Sequence, residues 1–90
     1  MSDFYVLDVE ATGRRISELR KEKHIKVERL AELLGLCSVQ AVYKWQRGDC
    51  MPTVDNLVVL SGIFEVPIDS IVQKRRFRGE SESSLLPFSA

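Results

Sequence analysis

The sequence predicts an all-α fold, a single bundle of five short helices. Three observations carry this. Two apolar-periodic segments, 27–34 and 39–47, flank a tight connection at Gly35-Leu36-Cys37-Ser38. Helix punctuation recurs along the chain: Asp8, Ser38 and Thr53 stand where N-caps belong, and Gly35 and Gly48 stand just past helix ends. A third segment, 54–64, spreads Val54, Leu57, Val58, Leu60, Ile63 and Phe64 over more than half a helical circumference.

In chain order, residues 1–7 are expected to be irregular, with Phe4, Tyr5, Val6 and Leu7 docking on the fold or forming part of an oligomer contact. Asp8 caps a first helix to about residue 23. Val9, Ile16 and Leu19 give its buried face, and Gly13 permits a close approach. His24, the single histidine, falls in the connection to the second helix and reads as a turn residue rather than a ligand or base. The second helix places Leu30, Ala31 and Leu34 on one face. After the third helix comes a loop, Asp49-Cys50-Met51-Pro52, and then the Thr53-capped fourth helix. The excess apolar surface of that helix leaves two readings, a dimer surface or a central helix buried on several sides. Val66-Pro67 opens a short fifth helix with Ile68, Ile71 and Val72 inward. From Lys74 the composition shifts to KRRFRGESESSLLPFSA, a basic cluster and then a Ser/Glu stretch. It is expected to be a flexible tail over 74–90; the alternative is a phosphate-binding or partner-binding arm. The folded domain is therefore placed at 8–73.

The register of the third helix follows from desolvation. If Ala41 and Lys44 pointed inward, an unpaired ammonium would be buried at a cost of several kcal/mol. The register that puts Val42 and Trp45 inside avoids that cost. Gln40, Tyr43, Lys44 and Arg47 then form one outward stripe at i, i+3, i+4 and i+7. A helix anchored by a Trp and lined outside with long polar side chains suits a DNA groove.

Composition adds bounds. Ninety residues, 44% apolar and 29% charged, suit one globular domain. No apolar run approaches a membrane span, and the acidic start MSDFYVLDVE lacks the basic region of a signal peptide, so a cytoplasmic protein away from membranes is expected. The formal net charge is zero, but residues 14–47 hold nine bases and four acids, whereas 1–13 and 48–73 hold acids only. Basic charge concentrated in this way suggests a polyanionic partner. Cys37 and Cys50 are too few for a disulfide framework or zinc site, and are expected to be reduced and structural. No phosphate loop, metal-ligand cluster or nucleophile–base arrangement is visible, so no enzyme activity, cofactor or metal is expected.

The stretch VERLAELLGLCSVQAVYKWQRG resembles the helix-turn-helix of the phage-repressor family, the Cro/CI or xenobiotic-response-element type. The matching residues run on through Thr12-Gly13, Ile16, Leu19-Arg20-Lys21, Pro52, Leu57, Leu60, Phe64 and Ile71, over roughly 9–73. The resemblance implies a compact five-helix bundle of the lambda-repressor-like type, with the recognition helix at about 39–47 in the major groove. It implies base contacts from Ser38, Val39, Gln40 and Lys44, and backbone contacts from Lys26, Tyr43 and Arg47. The chemistry suits those roles: Gln can bond adenine bidentately, Lys can donate to guanine, and Val can touch a thymine methyl. Three positions depart from the pattern. Val27 stands where a Gln usually bonds a phosphate, Lys26 replaces a Thr or Asn cap, and Gln46 replaces a Glu that would pair with Arg20.

The resemblance therefore implies a sequence-specific transcriptional regulator of bacterial or phage type, a repressor among them. Its partners would be double-stranded DNA, a second copy in a homodimer, and a possible regulatory protein. The other reading keeps the scaffold but binds protein, as an antitoxin or repressor antagonist would.

Overall fold

The computed structural model describes residues 3–78. Seven elements follow in order: β1 Asp3–Leu7, α1 Val9–Glu22, α2 Val27–Leu33, α3 Gln40–Arg47, α4 Val54–Phe64, α5 Ile68–Ile71 and β2 Lys74–Arg78. The five helices stand as the sequence predicts. The all-α reading needs one correction, because β1 and β2 pair antiparallel in a small two-stranded sheet. Residues 3–7, expected to be irregular, form a strand, and so do the first five residues of the expected tail. The rest of that tail, 79–90, lies outside the described residues.

Local chemistry sets the helix ends. Asp8 Oδ1 accepts from the Ala11 N–H at 2.9 Å, and the Thr53 hydroxyl accepts from the Asn56 N–H at 3.4 Å. Each takes up one of the orphan donors of a first helical turn. Gly35 and Gly48 adopt positive φ after α2 and α3. There the Leu36 N–H reaches Ala31 O and the Asp49 N–H reaches Lys44 O, both at 2.9 Å. These are the six-to-one bonds of Schellman ends, and they turn the chain sharply out of both helices. His24 ends α1 the same way at φ 58, the turn role read for it. Glu65 does so after α4 at φ 59, its carboxylate 2.9 Å from the Lys23 ammonium. That cation holds the Glu65 carboxyl below its usual pKa range.

The core gathers Ile16 and Leu19 of α1, Val27, Leu30 and Ala31 of α2, Val42 and Trp45 of α3, Leu57, Leu60 and Phe64 of α4, and Ile71 of α5. Every helix therefore contributes to the core, which is what a bundle of short helices requires, since none would be stable alone. Between the readings of α4, the structure has one face buried and the opposite one open: Val54, Val58 and Val59 are exposed. Cys37 and Cys50 are free but exposed, so neither is a core residue. No helix among the described residues is long and apolar enough to cross a membrane.

The sheet is fastened to the bundle through α1. The Asp8 N–H donates to Gln73 O, and the Gln73 N–H donates to the Thr12 hydroxyl, both at 2.9 Å. Among the described residues, Thr12 is the one buried polar residue, and this bond satisfies it. Phe77 is buried, its ring centroid 4.9 Å from that of Phe4, the residue opposite it in register.

Candidate nucleic-acid interface

The interface begins with the anchoring of α3. Val42 and Trp45 are buried and Lys44 is exposed, the register that leaves the ammonium solvated. α1 lies so close to α3 that a Cβ on Gly13 would stand 2.1 Å from the Trp45 carbonyl oxygen. A second tie is lateral: Arg20 Nε donates to Gln46 Oε1 at 2.9 Å, and its Nη1 donates to Ile25 O at 2.9 Å. Gln46 thus keeps a bond to Arg20 without the charge of a Glu. The same guanidinium also braces the turn ahead of α2, a role the sequence alone does not disclose.

With one face held, the other is open. Ser38, Gln40, Tyr43, Lys44 and Arg47 are all exposed. The helix opens one residue later than read, at Gln40, with Val39 in the cap position. Ser38 is therefore not the N-cap, although its hydroxyl accepts from the Gln40 N–H at 3.3 Å. Val39 is half-buried and packs in part against the core, which leaves less of it to meet a base. Arg47 is engaged by Asp49, Nη2 to Oδ2 at 2.9 Å. An exposed pair of that kind is worth only about 0.2–1 kcal/mol, so a phosphate could replace it.

Lys26 is exposed in the cap position of α2 and makes no side-chain capping bond. Val27 stands differently from its counterpart in the phage-repressor pattern. It is only 7% exposed and belongs to the core. The missing Gln is therefore not a vacant phosphate contact but a position given over to packing. Val27→Gln should lower stability by about 1–3 kcal/mol, because the amide would be buried without partners. DNA affinity should not rise. A melting curve and a duplex titration of the two proteins check this, and a tighter-binding variant with an unchanged midpoint would contradict it.

Two helices joined by a turn, the second locked by a Trp and open along a polar stripe, define a helix-turn-helix protein. The family model for the helix-turn-helix matches residues 16–71, and the chain belongs to that family, in its Cro/CI type. Among solved structures it is similar to the restriction-modification controller protein C.AhdI from Aeromonas hydrophila. That likeness has 28% identity and a TM-score of 0.64, over 71% of this chain and 96% of that one. It is also similar to the DNA-binding domain of BldD, at 20% identity and a TM-score of 0.60, over 72% of this chain and 93% of that one, a likeness of fold alone. Comparison with curated protein sequences gave no significant match.

Proposed function

We propose that this protein is a sequence-specific DNA-binding transcriptional regulator, acting in the cytoplasm as a homodimer and without catalytic activity of its own. One observation carries the reading: the exposed stripe Gln40, Tyr43, Lys44 and Arg47 on a helix whose other face is fixed by Val42 and Trp45. In the major groove, Gln40 and Lys44 would read base edges, with Ser38 and the exposed part of Val39 at the entry. Lys26, Tyr43 and Arg47 would meet the backbone and set the register. Family membership and the likeness to C.AhdI support this reading. A single recognition helix reads only a few base pairs, so two copies on half-sites about one turn apart would supply the remaining specificity. The exposed valines Val54, Val58 and Val59 of α4 support self-association. They equally favour the second reading, in which a regulatory protein docks on the same scaffold.

Base reading and phosphate binding separate in a mutant pair. Lys44→Ala should cost about 1–3 kcal/mol on the preferred site, less on unrelated DNA, and should relax selection at one base position. Gln40→Ala should relax a different position and leave the salt dependence unchanged, because a neutral amide releases no counterion. Sites selected from a random pool, titrated at two salt concentrations, provide both readouts. Equal losses on all sequences would reduce Lys44 to a phosphate contact, and a pool yielding no common site would favour the protein-binding reading.

A further inference from the structure

The two strands lie outside the 16–71 segment matched by the family, and β2 carries the chain's second cluster of positive charge. Lys74, Arg75 and Arg76 are consecutive and exposed, and no acid stands among 4–7 or 74–77. Alternation along the strands sorts these side chains. Phe4 and Phe77 share one face, and the burial of Phe77 marks it as the inner one. The outer face holds Tyr5, 62% exposed, with the Lys74 ammonium 5.8 Å from its ring centroid. Among the described residues, neither Lys74 nor Arg75 makes an ion pair with an acid.

The position of the sheet gives this charge a use. β2 follows directly on Gln73, which is bonded through both N–H and C=O to the first turn of α1. That turn lies against the end of α3, since a Cβ on Gly48 would meet Glu10 Cγ at 2.8 Å. Leu7, Asp8, Val9, Glu10, Gly48 and Arg75 line one shallow concavity, so Arg75 reaches the end of α3 past two carboxylates. The sheet therefore stands beside the C-terminal end of the recognition helix.

We propose that β2 is a phosphate-contacting strand. Lys74, on the outer face with the Tyr5 hydroxyl, and Arg75, on the other face beside Gly48, reach from the two sides of the strand to the DNA sugar-phosphate backbone flanking the base pairs under α3. The inference rests on the DNA-binding reading above. Chemistry favours phosphate over an acidic protein surface here. The cations alternate across a strand beside a helix read as groove-binding, and a ring-supported ammonium with a neighbouring phenol suits backbone oxygens.

The test is the salt slope of the full chain on a preferred duplex and a scrambled one, for Lys74→Gln/Arg75→Gln against the unchanged protein. Each phosphate contact contributes about 0.9 to the slope of log K against log salt, so losing two should lower it by about 1.8. The fold-loss should be equal on both duplexes, and Lys74→Arg/Arg75→Lys should retain the slope, which ties the effect to charge rather than folding. An unchanged slope in the Gln variant, while Lys44→Ala still loses discrimination, would overturn the strand's role and leave the DNA-binding reading standing. Loss of the dimer with the slope unchanged would also overturn it, in favour of a protein contact. An unchanged protein that shows no salt-dependent binding to either duplex would remove both readings.

Discussion

Trp45→Ala should unfold much of the protein rather than alter its choice of sequence. Trp45 is 4% exposed and lies at the centre of the face that seats α3 on the core. Truncating a buried Trp costs about 3–5 kcal/mol, the transfer energy of the ring plus the cavity it leaves. A domain of this size has only about 5–15 kcal/mol in total, so about a fifth of the margin or more disappears. α3 has eight residues, too few to stay helical without its packed face. The recognition stripe would therefore be lost with the core. Thermal or urea melting followed by circular dichroism is the measurement, since the substitution removes the sole tryptophan and its fluorescence. A variant with an unchanged midpoint would mean that the ring is not packed, and the register that exposes Gln40 and Lys44 would fall with it.

Much of this register was legible in the sequence because the competing one buries an ammonium. The cost of that is large enough to decide a one-residue shift without any knowledge of neighbours. Helix ends were legible for a similar reason: Asp8 and Thr53 act on N–H groups three residues away, and Gly35 and Gly48 answer a backbone need within one turn. The sheet was not legible. Phe4 pairs with Phe77, and nothing local to either strand announces a partner at the other end of the chain. The one available signal was the lone Phe77 among bases, an apolar residue with no reason to sit in a solvated tail. The burial of Val27 was not legible either, because the resemblance implies an outward phosphate-bonding side chain at that position, whereas this one packs into the core. For the candidate site, residue chemistry and exposure could be read from periodicity. Arg47's engagement with Asp49 and the half-burial of Val39 depend on how the chain turns at each end of α3.

Gly13→Ala should destabilise the protein strongly, against what its helix would favour in isolation. In the interior of an exposed helix the change would gain about 1 kcal/mol, because Ala loses less backbone entropy than Gly. Gly62 in α4 offers that case: a Cβ there meets nothing within 4 Å. Gly13 is the opposite. Its added methyl would stand 2.1 Å from the Trp45 carbonyl oxygen and 3.0 Å from that of Gln46. Both are backbone atoms and cannot rotate away. The Trp45 oxygen, moreover, already accepts from the Gly48 N–H at 3.0 Å in the turn that ends α3. Relief requires α1 and α3 to separate by about an ångström or more, opening the core around Ile16 and Trp45. Overpacking against a side chain costs about 1–3 kcal/mol, and an immobile backbone puts this case at or above the upper end. At about 4–8 °C per kcal/mol for a domain of this length, Gly13→Ala should lower the melting midpoint by at least about 12 °C. Gly62→Ala should raise it by a few degrees. Because α3 is what moves, Gly13→Ala should also weaken binding to a selected DNA site at temperatures where the protein is still folded, while Gly62→Ala leaves the stripe in place. If the two alanines shifted the midpoint in the same direction, the close contact between α1 and α3 would be wrong. The orientation of the recognition helix would then have to be rebuilt without it.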